Sequence, residues 1–238
     1  IDDLEGTLVN ESVYLLGGFA VIKIYTYNIY YLQLDPRILY IDKASYYSYG
    51  AERGITASEQ NTYARYAACL TDSQVGVMPV CGDGVCIGVI DSGLDIRNEE
   101  FCRDGRTRLL RYWNQNQNYE NESGNRYMMG RIYDREELDE LIAKGRNTGE
   151  VISTHGAEVT SIAAGSSLGA AKMADLIMVE QRLEGIFPDT ISIMFGIDFL
   201  VRYSMNENVP LVINLSYGNN YGAHDGTGML ENFIDVVS

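Results

Sequence analysis

Val85-Cys86-Ile87-Gly88-Val89-Ile90-Asp91-Ser92-Gly93 is the stretch on which the fold turns. Its apolar run has the length of a strand buried on both faces, and it ends on a carboxylate followed by a tight Ser-Gly turn. Downstream, strand and helix patterns alternate, which predicts a parallel sheet covered by helices. Residues 106–113 read as extended, 134–144 as a helix, 158–164 as a helix of small residues, and 175–179 as a strand. A helix over 192–205 and a strand over 211–216 follow. The last helix starts near Gly228, with Leu230, Phe233, Ile234 and Val237 on its apolar face. The helix over 134–144 has the clearest ends: Asp134 caps it, Glu137 sits three residues on, and Gly145 stops it.

Upstream, residues 1–44 read as a small α/β unit. It comprises a strand over 19–24, a short helix over 28–34 capped by Asn28 and stopped by Asp35-Pro36, and a second strand over 37–42. Residues 45–74 are rich in Tyr, Ser, Gly and Glu and read as a linker with one helical turn over 63–69. The Asn-rich stretch 114–126 reads as a surface loop. Residues 75–238 form the main α/β domain.

Composition narrows the function classes. A chain of 238 residues, 46% hydrophobic and 21% charged, can bury a core without disulfides or metals. A net charge of −15 with no basic patch argues against nucleic acid as a partner. There is no apolar run of the length a membrane span needs. Cys69, Cys81, Cys86 and Cys102 form no Cys-x-x-Cys pair and have no nearby histidine, which argues against zinc. Free thiols are expected over a Cys81–Cys86 bridge, with Cys86 buried in its strand.

Asp91 stands at the carboxyl end of a strand, where functional groups of open α/β sheets gather. Alone it could simply cap a turn. His155 is one of only two histidines and precedes Gly156-Ala157, small residues that let a helix mouth pack closely on a strand end. An acid and an imidazole can work together: the acid fixes the ring's tautomer and the ring moves a proton.

Three segments together resemble the subtilisin-like serine proteases, the subtilases. Residues 84–93 resemble the family's Asp motif. His155-Gly156-Ala157, running on to Gly165, resembles its His motif. Val212-Ile213-Asn214-Leu215-Ser216-Tyr217-Gly218 resembles the strand lining its substrate cleft. The resemblance implies catalytic roles for Asp91 and His155. It implies that Ser216, Tyr217 and Gly218 bind an extended polypeptide substrate through backbone groups, with Tyr217 shaping a pocket. Residues 1–44 resemble the family's inhibitory propeptide, a partner to the chain's own catalytic domain, with cleavage expected between Ala44 and Asn61. The segment from Gly218 to Thr227 and the long stretch between the Asp and His motifs resemble the clostridial Csp-like germination proteases. That branch implies a spore-associated or cytoplasmic setting rather than a membrane one, with secretion also compatible. The chemistry needs no cofactor; a structural calcium is common in the family, but no ligands are assignable here.

The departures are as plain as the likeness. The nucleophile motif Gly-Thr-Ser-x-Ala is absent, and so is the Asn of the oxyanion hole. Gly226-Thr227-Gly228-Met229 follows the cleft strand too directly to replace it, and His224 and Asp225 read as loop groups. The expectation is a subtilisin-like sheet incomplete at its C-terminus, cut before the serine, with an unpaired edge and no activity of its own. A pseudoprotease that binds or regulates a partner is the alternative. A nucleotide-binding protein would need a Gly-x-Gly-x-x-Gly turn, and none is present.

Overall fold

The computed structural model describes residues 2–49, 81–119, 125–167, 169–184, 187–218 and 225–238. The N-terminal unit pairs β1 (Glu11–Tyr14) antiparallel with β2 (Ala20–Lys23), followed by the single-turn helix α1 (Ile29–Leu32) and the short strand β3 (Ser48–Tyr49). The main body opens with β4 (Cys86–Asp91), the hairpin of β5 (Cys102–Arg103) and β6 (Arg106–Thr107), β7 (Leu109–Asn114), β8 (Arg131–Asp134) and helix α2 (Arg135–Ala143). It continues with helix α3 (His155–Ala164), β9 (Asp175–Glu180), and the hairpin of β10 (Leu183–Glu184) and β11 (Phe187–Pro188). Helix α4 (Thr190–Glu207), β12 (Leu211–Leu215), β13 (Tyr217–Gly218) and helix α5 (Met229–Val237) complete it.

The central sheet runs β12-β4-β9-β7-β8, with the first four strands parallel and β8 antiparallel at one edge. Side chains alternate across it with period 2. Cys86, Ile90, Ile177 and Val179 meet Ile193, Ile197 and Leu200 of α4 and Phe233 of α5. Ile87, Val89, Leu176 and Met178 meet Leu138 of α2 and Ala164 of α3 on the other face. Each such aliphatic side chain, fully buried, stabilises the fold by about 1.5–3 kcal/mol. Helix α4 sits close on β4 because both surfaces carry glycine. A Cβ at Gly88 would lie 2.7 Å from Leu200, and one at Gly196 would lie 3.0 Å from Ile90.

The N-terminal unit docks on α4 and α5. The Leu16 N–H donates to the Asp198 carboxylate at 2.7 Å, and Phe19 meets Phe233 edge-on at 5.2 Å between ring centroids. Arg126 donates to the Tyr14 carbonyl at 3.2 Å.

The doubly covered, mostly parallel sheet is the one expected, and Asp134 and Glu137 form the expected capping box. Several local readings need correction. Residues 37–42 form no strand. The Asp35 carboxylate accepts the Arg37 backbone N–H at 3.0 Å and its guanidinium at 2.6 Å, making a turn instead. Among the described residues no neighbouring strand takes up the segment, and Leu39 is 96% exposed. Asn28 does not cap α1; it lies in helical conformation and its amide donates to the Leu8 carbonyl at 2.8 Å. Strand β1 and the antiparallel edge β8 were not expected. The polar stretch 114–126 is not simply surface: Asn114, Gln115 and Asn125 are buried, and Gln115 donates to the Ser192 carbonyl at 3.1 Å. Within the supposed linker, residues 45–49 are tied into the body, as described below. The helical turn over 63–69 and His224 lie outside the described residues. Cys81, Cys86 and Cys102 are free thiols.

Candidate active site

Strand β4 delivers Asp91 fully buried at its carboxyl end. The turn after it needs glycine, because Gly93 has φ +86° and a side chain there would press on Glu180 and Tyr112. Helix α3 starts against this turn. The Ser92 hydroxyl accepts the Gly156 N–H at 2.9 Å, and the Ser153 hydroxyl accepts the His155 N–H at 3.1 Å. A Cβ at position 156 would overlap the Gly93 carbonyl oxygen, so the approach depends on Gly156. Two otherwise orphaned donors of the helix start are thereby satisfied.

This clamp brings His155 Nδ1 to 2.8 Å from Asp91 Oδ1. The same oxygen accepts the Ser92 N–H at 2.7 Å, while Oδ2 is buried with no hydrogen-bond partner among the described residues. With Nδ1–H donating to Asp91, Nε2 is the ring nitrogen that can exchange a proton. His155 retains 13% side-chain exposure, which lets the ring reach the surface.

Behind the pair stands Glu180, in register with Asp91 on one side and Asn114 on the other. The Tyr112 hydroxyl donates to Glu180 at 2.6 Å and accepts the Leu94 N–H at 3.1 Å; Asn116 donates to Glu180 at 3.3 Å. Glu180 therefore holds Tyr112, which holds the segment after Asp91. Burial pushes the Glu180 pKa up to about 7, against the opposing pull of the hydrogen bonds from Tyr112, Asn116 and Asn114.

Strand β12 lies beside β4, with Leu215 opposite Ile90. The chain then passes Ser216, whose hydroxyl donates to Asn214 at 2.8 Å, into β13. Gln181 ties this edge to the acid: its N–H donates to the Asp91 carbonyl at 2.9 Å and its amide to the Tyr217 hydroxyl at 3.4 Å. Strand β13 already has a partner. Tyr217 pairs with Tyr49 and Gly218 with Ser48, antiparallel. On the other side of that segment the Tyr47 N–H donates to the Pro188 carbonyl at 2.9 Å and Tyr46 bridges to Asp189. Thr190 N–H donates to the Ser45 carbonyl at 2.9 Å, and Ser45 N–H donates back to the Thr190 hydroxyl at 3.0 Å. Residues 45–49 thus lie extended between two edges of the main body.

The structure brings Asp91 and His155 into contact and places Ser216, Tyr217 and Gly218 on an adjacent edge. Sequence reading placed Ser92 in the turn but missed its bond to Gly156, and it missed Tyr112, Glu180 and Gln181. A signal for the last two existed: they end an apolar strand on polar residues, as Asp91 does. Asp225, read as a loop group, accepts from the Thr227 N–H at 3.0 Å and its hydroxyl at 2.7 Å, which is a turn. Among the described residues no group of three or more His, Cys, Asp or Glu is placed to hold a metal ion. No described helix is long and apolar enough to cross a membrane.

The model of the subtilase family matches residues 82–234. The solved structure of the Clostridium perfringens CspB protease is similar, with a TM-score of 0.62 and 26% identity, over 72% of this chain and 36% of that one. The chain thus spans well under half the length of that protease. A search of curated proteins finds no match.

Proposed function

The chain belongs to the subtilase family, and from that premise we propose that Asp91 and His155 are the acid and base of a serine endopeptidase, with Ser216, Tyr217 and Gly218 forming the edge that binds polypeptide. His155 Nε2 takes the proton from the nucleophilic serine hydroxyl as its oxygen bonds to the scissile carbonyl carbon. Asp91 stabilises the resulting imidazolium through Nδ1–H. The ring then gives that proton to the departing amine as the carbon–nitrogen bond breaks. In the second half a water follows the same proton route and releases the acyl group. The family's serine motif is not among these 238 residues, so the assignment concerns the acid–base half and the peptide edge.

The observation that carries the reading is the 2.8 Å contact between a fully buried carboxylate and a histidine at a helix mouth. It occurs between the two segments that the family pattern makes catalytic. Residues 1–44 act as a propeptide in this reading, and the segment through Tyr49 as its inhibitory end. The antiparallel pairing of Ser48 and Tyr49 along β13 supports this, because a substrate would add to the same edge. Cleavage then falls after Tyr49 and no later than Asn61, in the linker ahead of the catalytic domain that begins near residue 75. The retained acid–histidine pair weighs against a pseudoprotease.

The test uses the full gene product. Wild type should be processed between residues 50 and 61, read by N-terminal sequencing, and should digest an unfolded protein; His155→Ala should do neither. Normal processing in purified His155→Ala would overturn the assignment.

A further inference from the structure

We propose that Glu180 and Tyr112 form a proton-switched pair that positions the turn carrying Asp91: the Tyr112 hydroxyl hydrogen points at Glu180 when that carboxyl is ionised and at the Leu94 carbonyl when it is protonated. The catalytic consequence rests on the roles given above to Asp91 and His155; the switch itself does not. The two side chains form the floor of the turn. A Cβ on Gly93 would lie 2.6 Å from Glu180 Cγ and 2.7 Å from the Tyr112 hydroxyl oxygen, so both pack directly against the backbone there. Tyr112, Leu94 and Glu180 are all buried. The titratable groups around the carboxyl are Tyr112 on β7 and Asp91 on β4, with His155 of α3 beyond Asp91. Its hydrogen bonds come from neutral groups, and burial pushes its pKa up to about 7.

The Tyr112 hydroxyl has two places to send its hydrogen. Its oxygen is 2.6 Å from the Glu180 carboxyl and 3.4 Å from the Leu94 carbonyl oxygen, and it accepts the Leu94 N–H at 3.1 Å. An ionised carboxylate only accepts, so the hydroxyl hydrogen goes to it. A protonated carboxyl has a hydrogen of its own to place. The Asn116 amide nitrogen cannot take that hydrogen, because it donates to Glu180 at 3.3 Å and to the Gln181 carbonyl at 2.8 Å. The Tyr112 oxygen takes it, and the hydroxyl hydrogen turns to the Leu94 carbonyl. Ionised, Glu180 holds Tyr112, and through it Leu94, by a charge-assisted bond roughly twice as strong as a neutral one. Protonated, it holds them by neutral bonds, one of them long. Leu94 closely follows Asp91 and Ser92, and the Ser92 hydroxyl fixes the start of α3 by accepting the Gly156 N–H at 2.9 Å. A tighter turn therefore tightens the approach of His155 to Asp91, and activity gains from ionised Glu180. Both members of the pair act through this turn and are positioning residues.

Infrared titration and pH profiles of kcat/KM, both on the full gene product, test this together. Wild type should show a protonated-carboxyl band that fades with a midpoint at about pH 7, and Glu180→Gln should lack it. Absence of the band from wild type would overturn the switch. Tyr112→Phe removes a hydroxyl that favours the ionised form and should move the midpoint up by about half a pH unit or more. An unmoved midpoint would overturn the pairing of Glu180 with Tyr112. Glutamine offers only neutral bonding at every pH. The ratio of Glu180→Gln to wild-type kcat/KM cancels the His155 titration common to both, and it should fall about fivefold between about pH 6 and about pH 8, the difference between a neutral and a charge-assisted bond. In a Tyr112→Phe background the same ratio should stay flat, and a retained fall would remove Tyr112 from the relay. A flat ratio without that background, beside a titrating band, would overturn the positioning role. A folded wild type without peptidase activity would overturn the assignment of Asp91 and His155, and the positioning role with it, while the band would still decide the switch.

Discussion

Replacing Glu180 by glutamine should stabilise the protein at alkaline pH and change little in acid. Glu180 is 5% exposed, and burial raises its pKa from 4.5 to about 7. Below 4.5 folded and unfolded chains both hold the proton, and ionisation costs nothing. Between 4.5 and about 7 the unfolded chain releases it while the folded one keeps it, so stability falls as pH rises through this window. Above about 7 the full cost applies. At about 1.4 kcal/mol per pH unit, the separation is worth about 3 kcal/mol. Glutamine cannot ionise, yet it keeps an oxygen for the Tyr112 hydroxyl, now 2.6 Å from the carboxylate. In denaturant unfolding, the gap between variant and wild type should widen in the variant's favour by about 2–3 kcal/mol from about pH 5 to about pH 8. A gap independent of pH would refute the reasoning, because Glu180 would then ionise in the fold as freely as in the unfolded chain.

Gly156→Ala places a methyl group on the Gly93 carbonyl and 3.2 Å from the Asp91 carboxylate. It should push α3 off the turn and cut peptidase activity by about a hundredfold or more, with circular dichroism reporting whether the fold survives. Asp198→Asn removes the charge that accepts from Leu16, from Tyr127 at 2.8 Å and from Arg202 at 2.6 Å. It should cost about 2 kcal/mol and speed limited proteolysis of the N-terminal unit, whereas unchanged protection would dismiss Asp198 as its anchor.

The central strands were legible because a parallel sheet covered on both faces needs apolar runs, and Cys86–Asp91 and Asp175–Glu180 supply them. Helix α2 was legible because Asp134 and Glu137 carry a local capping chemistry that needs no tertiary partner. Residues 37–42 have the β-branched and aromatic composition of a strand, but composition cannot provide a neighbour to pair with. Strand β1 escaped notice because a half-exposed, two-stranded hairpin shows little alternation. The acid and histidine were readable as motifs, whereas their support was not. Glu180, Gln181 and the buried Arg108, which donates to the Ala164 and Ala174 carbonyls, are polar residues whose burial only the assembled fold reveals. The pairing of Tyr49 with Tyr217 joins segments too distant in the chain for any local pattern.

The most direct test of the Asp91–His155 pair is labelling with a fluorophosphonate, which bonds covalently to a serine only when a base takes its proton. The full gene product should be labelled on one serine, and His155→Ala should react at least about a hundredfold more slowly. Equal labelling of His155→Ala, or a folded wild type that takes no label, would contradict the account.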